Sequence, residues 1–290
     1  MILGVDLGTY SVKTSSKVSF LSKISEIETF DDKNKLIING KTLYVGDGEF
    51  STDWNKANKD NTIPLLLSAI YRSTEDRVNK VVLGLPIKQY KRNIETLKGL
   101  IKDNMYNNIN DRDVVISDCE VLPEGAAVYY NINEDILKSI TKYQLTIVCI
   151  GGRTTEVCQY KGDKIIGYDS YNVGMLNVYQ DIVSFINKEY TKEFKLEEGQ
   201  EILEEGLMLD GNVVNISFIT PILKRYFNSI YKDLQLKFNI DKGFIYLSGG
   251  GSETFEIAFK NRSQNVIKSK TPIWDNVLGY KRFGESLWQR

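Results

Sequence analysis

The chain has 290 residues, 42% of them apolar and 26% charged, with a formal net charge of −1. That length buries a large core and falls where chains tend to divide into two domains, while the near-zero charge gives no global field for holding DNA directly. No histidine occurs, which excludes Ser-His-Asp and Cys-His catalysis and any imidazole-ligated metal, leaving carboxylates for acid–base work.

Cys119, Cys149 and Cys158 have neither metal-ligand spacing nor an even disulfide framework, so a reducing compartment is expected. Asp6 interrupts the first apolar run, unlike a secretory leader, and no run reaches the roughly 18 apolar residues of a membrane span. The expectation is a cytoplasmic protein with small cysteines in its core.

Taken in order, Ile2-Leu3-Gly4-Val5, then Asp6-Leu7-Gly8-Thr9-Tyr10-Ser11, then Val12-Lys13 reads as strand, turn, strand. Residues Val18–Tyr44 alternate apolar and polar and contain Asn39-Gly40, the pattern of meander strands. Gly46–Asn61 is rich in Lys, Asn and Asp and reads as an exposed connection. Pro64 stands in the first turn of an apolar helix, Leu65–Arg72, where its missing N–H costs little. A buried strand, Lys80–Pro86, and a helix over Lys88–Lys102 follow. Asp103–Asp113 reads as a loop before the strand Val114–Ser117. This β-α-β alternation predicts a largely parallel sheet covered by helices. Pro123-Glu124-Gly125-Ala126-Ala127 reads as a tight helix start, with Pro at its first position.

Leu145–Tyr160, LTIVCIGGRTTEVCQY, is a second hairpin with Gly151-Gly152-Arg153-Thr154 at its tip. Lys164–Asp169 completes a meander. Helices are expected over Met175–Lys188, Leu196–Met208 and Asn215–Phe238, the last kinked at Pro221. Its apolar stripe is core first and a partner groove second. A buried strand, Phe244–Leu247, runs into Gly249-Gly250-Gly251, with Ser252 placed to cap a helix. Ala258–Lys270 is polar, and a terminal helix holds Trp274 and Trp288.

Two Gly/Thr/Ser hairpins half a chain apart predict two similar lobes closing on one anion, because converging backbone N–H groups form anion-binding concavities. Nucleotide phosphates are the candidates. Either tip alone is more readily a plain hairpin turn; the third glycine turn, between a buried strand and a helix start, favours a site. Lys13 offers a compact charge for polyphosphate or stands as a solvated strand-end lysine.

The order hairpin, Pro-Glu-Gly-Ala-Ala, second hairpin and Ser248-Gly249-Gly250-Gly251 resembles the actin/hexokinase/heat-shock chaperone ATPase superfamily. Within it the chain is most similar to plasmid-segregation actins of the ParM/StbA type, from Asp6 to Trp274–Tyr280. The resemblance implies an α/β, actin-like, two-lobed ATPase fold, each lobe a mixed sheet flanked by helices, with ATP or ADP and Mg2+ in the cleft. It implies lobe I over 1–144 with 271–290 returning to it, and lobe II over 145–270. It makes Asp6 the acid that holds magnesium waters, places Gly8, Thr9, Tyr10 and Lys13 and then Gly151, Gly152, Arg153 and Thr154 on the phosphates, and has Glu124 orient the attacking water. It sets Glu204 or Glu205 near ribose and adenine, with a solvated acidic face the reading for at least one of them. Gly249, Gly250 and Gly251 fall against adenine and the α-phosphate.

One departure matters. Where such proteins usually carry Asp, two residues before the second glycine tip, this chain has Cys149. A thiol with an ordinary pKa of about 8.5 stays mostly neutral near pH 7, so ATP binding is expected to survive and hydrolysis to weaken, with Asp6, Glu124 and Glu156 left as acids. The resemblance implies filaments of identical subunits that separate plasmid copies through a DNA-binding adaptor of the ParR type. The alternatives are a small-molecule kinase of the same superfamily and an ATP-loaded structural polymer or chaperone-like switch with negligible turnover. A membrane-bound shape-determining actin lacks its amphipathic N-terminal anchor here.

Overall fold

A computed structural model of the chain describes residues 1–28, 32–53, 55–57 and 59–289. The chain opens with β1 (Ile2–Leu7), β2 (Ser11–Thr14), β3 (Ser19–Leu21), β4 (Lys23–Ser25), β5 (Lys35–Ile38) and β6 (Lys41–Phe50). Helix α1 (Thr62–Ser73), strand β7 (Val78–Leu85), helix α2 (Ile87–Lys102) and strands β8 (Tyr106–Ile109) and β9 (Arg112–Pro123) follow. A 3-10 helix, Ala126–Asn131, and α3 (Glu134–Ile140) lead to β10 (Gln144–Ile150), β11 (Thr155–Lys161) and β12 (Lys164–Tyr171). Then come α4 (Met175–Tyr190), α5 (Glu198–Glu205), β13 (Leu207–Leu209), β14 (Asn212–Val214) and α6 (Ile219–Lys237). The chain closes with β15 (Gly243–Ser248), α7 (Gly251–Lys260), β16 (Val266–Lys268) and α8 (Asp275–Trp288).

Two mixed sheets organise these elements. The first runs β3-β2-β1-β7-β9-β8-β5-β6-β4 and the second β12-β11-β10-β15-β16. Five strands of the first repeat the second in order and sense. In each, an antiparallel three-strand meander (β3-β2-β1, β12-β11-β10) joins two parallel strands (β7 and β9, β15 and β16). Central strands of this kind are covered on both faces and must be apolar throughout, and Leu3, Val5, Val81, Val82, Leu83 and Leu85 are all buried.

Helices α1 and α2 pack on one face of the first sheet through Leu65, Leu66, Ile70, Leu97 and Ile101. Helix α8 covers the other face, where Val277 and Tyr280 meet Val82 and Ala127. This approach depends on missing side chains: a Cβ on Gly4 would lie 2.1 Å from the Val277 carbonyl oxygen, and one on Gly84 1.9 Å from the Tyr280 hydroxyl. In the second sheet Val148, Ile150, Ile245 and Leu247 pack beneath α4, α6 and α7. Its other face holds Cys149, Cys158 and Tyr160 against Ala126, Val128 and Ile140 of the connecting segment. All three cysteines are free, and Cys149 and Cys158 are core residues, as expected.

The two sheets meet around a buried acid. Asp275, at the start of α8, accepts hydrogen bonds from Ser248, Ser269, Thr271 and Asn131 at 2.7–3.0 Å. One carboxylate thereby ties α8 to the end of β15 and to the 3-10 helix.

Several expectations need correction. Asp103–Asp113 is not a loop: β8 and the start of β9 form a hairpin there, turning at Asn110 and Asp111, whose positive φ angles of 47° and 63° Asn and Asp tolerate. Strand β9 then continues to Pro123, paired with β7, so Pro123 ends a strand instead of opening a helix. Glu124 and Gly125, the latter at φ 74°, form a turn before the 3-10 helix begins at Ala126. The predicted helix Leu196–Met208 stops at Gly206, and β13 and β14 form a small hairpin beyond it. Pro221 is the third residue of α6, where no backbone bond is lost, so it marks a helix start and not a kink. Ser252 lies inside α7, its hydroxyl donating to the Gly249 carbonyl at 2.7 Å. The polar stretch Ala258–Lys270 contains β16.

Candidate functional site

The two hairpins are built on one frame. Rungs Leu7↔Val12 and Ile150↔Thr155 each close a four-residue tip: Gly8, Thr9, Tyr10 and Ser11 in the first, Gly151, Gly152, Arg153 and Thr154 in the second. The next rung inward pairs Asp6 with Lys13 in the first and Cys149 with Glu156 in the second. The tips touch, since a Cβ on Gly152 would come within 2.9 Å of the Tyr10 Cβ. The second tip also seats α4: its Gly151 and Gly152 carbonyls accept the Met175 and Leu176 N–H groups at 3.0 and 2.8 Å.

A cavity of about 830 Å³ lies between the lobes at these tips. Among the predicted site residues, Asp6, Gly8, Thr9, Tyr10, Lys13, Glu124, Cys149, Gly151, Gly152, Arg153, Thr154, Glu204, Gly249 and Gly250 line it. Two do not. Glu205 faces away and is exposed, and Gly251 packs inward, where a Cβ would meet Ile150 at 2.3 Å. Glu204 accepts a hydrogen bond from Gln200, another lining residue, at 2.9 Å.

The charged floor of the cavity is compact. Lys13 is half-buried and donates to the Ser11 hydroxyl at 2.7 Å; desolvation lowers its pKa, opposed by the nearby Asp6 carboxylate. Glu124 is 6% exposed, and burial pushes its carboxyl pKa up against the pull of Lys56. Glu156 is held by the Ser170 hydroxyl at 2.8 Å and the Ile87 N–H at 3.1 Å, with burial again raising its pKa. Burial drives the Cys149 thiol well above its ordinary range, reinforced by Asp275 and Asp6, so it is neutral. Asn276 bridges two parts of the floor, donating to the Cys149 sulfur at 3.6 Å and accepting the Gly125 N–H at 3.1 Å.

Asp6 is the residue with capacity to spare. Its Oδ1 is buried and lacks a hydrogen-bond partner, although the Lys56 ammonium stands 3.7 Å away. Magnesium is commonly bound by one or two carboxylates together with substrate phosphates and waters. The orphaned oxygen of Asp6 fits that role, and the described residues contain no cluster of three metal-ligating groups that would form an all-protein site. The neutral sulfur of Cys149 does not fit a hard cation.

Gly46–Asn61 is not the exposed connection expected. Its first residues belong to β6, and its later ones return to the cleft. Lys56 is nearly buried, its ammonium 2.5 Å from Glu124 Oε1, and those carboxylates raise its pKa despite desolvation. Arg153 reaches across to the carbonyls of Ser51 and Asp53 at 3.3 and 3.2 Å. Trp54 and Asn58, within the same stretch, lie outside the described residues. Further contacts span the cleft. Lys23 of β4 bonds Glu197, just before α5, at 2.7 Å, and Lys88 of α2 pairs with Asp169 and donates to the Ser170 carbonyl at 2.9 Å. Neither Lys56 nor Lys23 has a local sequence signal: Lys56 sits in a composition that reads as solvated, and Lys23 at a polar position of an alternating strand pattern.

The duplicated sheets, the opposed glycine tips and the cleft between them define an actin-like fold. Residues 4–126 match the family model for the N-terminal domain of actin-like proteins. Over the whole chain the structure is similar to an archaeal actin homologue determined with ADP: TM-score 0.84, 18% identity, 98% of this chain and 99% of that one covered. It is equally similar to a subunit of a 15-stranded ParM filament from Clostridium botulinum, with TM-score 0.84, 18% identity and the same coverage. The Alp12 filament subunit gives TM-score 0.68 at 16% identity, over 99% and 98% of the two chains. No curated protein matches. The chain is thus an actin-like protein in fold, and that likeness extends over nearly its full length.

Proposed function

We propose that the chain binds ATP or ADP with Mg2+ in the interlobe cleft and assembles into filaments under control of that nucleotide. The observation that carries this reading is the pair of identically framed tips meeting over a cavity floored by Lys13 and by Asp6, with its oxygen that lacks a hydrogen bond. The ADP complex of the archaeal homologue and the filaments of the ParM and Alp12 subunits support it. In this reading lobe I is 1–144 with 271–290, and lobe II is 145–270.

Backbone N–H groups of both tips and Lys13 would hold the phosphates. Asp6 would hold Mg2+, whose charge offsets that of the phosphates. Glu124 and Glu156 would position water and Glu204 the ribose side, while Gly249 and Gly250 let the base approach the backbone. Cys149 gives neither a metal ligand nor a base, and loss of a positioned acid–base group costs roughly 10²–10⁴ in rate. Slow hydrolysis and a long-lived, ATP-loaded polymer therefore follow. The cellular role is plasmid segregation, through an adaptor of the ParR type, without direct binding of DNA by this chain.

Calorimetry with Mg-ATP tests the foundation: absence of binding removes the reading. High-speed pelleting with ATP, ADP or no nucleotide, with electron microscopy of the pellet, tests assembly. A small-molecule kinase would stay in the supernatant and consume ATP only with its acceptor.

A further inference from the structure

Lys56 is a cation built into the site by a fastened turn. Asp53 accepts the Asn55 N–H at 2.8 Å, and Asn55 in turn accepts the Ala57 N–H at 3.2 Å and the Asn93 amide of α2 at 2.9 Å. Thr62, at the start of α1, donates to the Lys56 carbonyl at 3.2 Å. With backbone bonds on either side, the side chain enters the cavity from a fixed root. Its ammonium stands between the two acids nearest the tips, 2.5 Å from Glu124 and 3.7 Å from Asp6. Those acids would repel a triphosphate. Neutralising them is one of the tasks a divalent cation performs in such sites, and here a side chain already performs it.

Cys149 bears on the same balance. Across from Asp6, at the equivalent rung of the second hairpin, the chain has a buried neutral thiol. The site therefore offers the metal one unpartnered carboxylate oxygen, on Asp6, since Glu124 is paired with Lys56 and Glu156 is held by Ser170 and the Ile87 N–H. A fixed ammonium is gained where a metal-holding group is lacking.

We propose that Lys56 takes over much of the charge-neutralising task of the divalent cation, so that this chain binds nucleoside triphosphates with little dependence on Mg2+. The inference rests on the nucleotide reading of the cleft and specifies how its phosphates are held. Lys56 is a binding residue here; a triphosphate entering between the tips meets its ammonium beside Lys13 instead of bare carboxylates. Magnesium and Lys56 share the Asp6 oxygen, so they compete more than they cooperate.

The test is calorimetric titration of ATP into the full chain in excess MgCl2 and in excess EDTA. For the wild type, the two dissociation constants are expected to differ by less than about fivefold, because the main neutralising charge belongs to the protein. Lys56→Gln is expected to lose about a hundredfold in EDTA and less than about tenfold in MgCl2, since magnesium can restore the missing charge. Lys56→Arg, which keeps the charge, should stay within about tenfold of wild type in EDTA. Thermal melts of both variants show whether they are folded, and the wild-type comparison needs no variant. The proposal is overturned if wild-type binding falls more than about a hundredfold in EDTA, or if folded Lys56→Gln loses equally in both media. Should wild type bind ATP in neither medium, the nucleotide reading fails and takes this inference with it; binding only with Mg2+ sinks the inference and leaves that reading standing.

Discussion

The two tip hairpins differ in chemistry far more than in shape. Both close four residues on an equivalent rung, and both sit at the edge of a parallel strand pair. The first carries Asp6 opposite Lys13, an acid and a cation; the second carries Cys149 opposite Glu156, a neutral thiol and a buried acid. The first hairpin can therefore hold charge, while the second can shape the cavity and seat α4. A duplicated frame thus does not imply duplicated work: the frame is set by strand pairing and glycine, and the work by one side chain per rung.

Restoring symmetry gives the largest expected effect. Cys149→Asp should raise ATP turnover by on the order of 10²–10⁴ in a phosphate-release assay, the usual worth of a placed acid–base group. Unchanged turnover would mean that the second hairpin is not the half lacking chemistry. Next is the contact between the tips. Gly152→Val places atoms where Tyr10 already stands, and overpacking of this kind costs ~1–3 kcal/mol, so ATP affinity should fall by about ten- to a hundredfold. Calorimetry reading full affinity would show that the tips act separately.

A smaller effect is expected at the mouth of the cleft. Lys23→Ala removes the partner of Glu197, and the Lys23 side chain is only 8% exposed. Release of a fluorescent ATP analogue, followed by stopped flow, should quicken roughly three- to tenfold, the range of a partly buried pair. Glu197→Gln should match it, and the double variant should add little.

The smallest effect concerns Lys59, which lines a recess below the first tip with Gly8 and Thr9. Burial, then Lys56 and Arg153, hold its pKa down at about 8. The folded protein therefore binds this proton less firmly than the unfolded chain, and stability rises with pH from about 8 toward the ordinary lysine value. An arriving polyphosphate favours the proton, so ATP affinity should decline across the same window, by about threefold or less for a partly exposed group. Lys59→Met should flatten that profile; a slope that persists assigns the titration elsewhere.

What the sequence revealed follows from where its signals are local. Apolar runs ending in glycine and hydroxyl residues gave both tips, and the helical spacing through Ile94, Leu97 and Ile101 gave α2. Asn110-Asp111 read as loop because the same residues that populate loops also make two-residue hairpin turns. Pro123 read as a helix start because its strand partner, Leu85, lies far away in sequence. Lys56 was illegible for a stronger reason. Its neighbours are those of any solvated connection, and what places it in the cleft are partners far away in sequence: Asn93 on Asn55, and Glu124 and Asp6 beside its ammonium.

The placement of α8 also bears on how the protein is made. One face of β1 and β7, both within the first 85 residues, is covered by Val277 and Tyr280, about 190 residues further on. A ribosome must translate well past residue 270 before the earliest apolar surface can be sheltered. The N-terminal sheet is therefore born half-clad, and its completion waits for α8 to dock, a step sealed by Asp275.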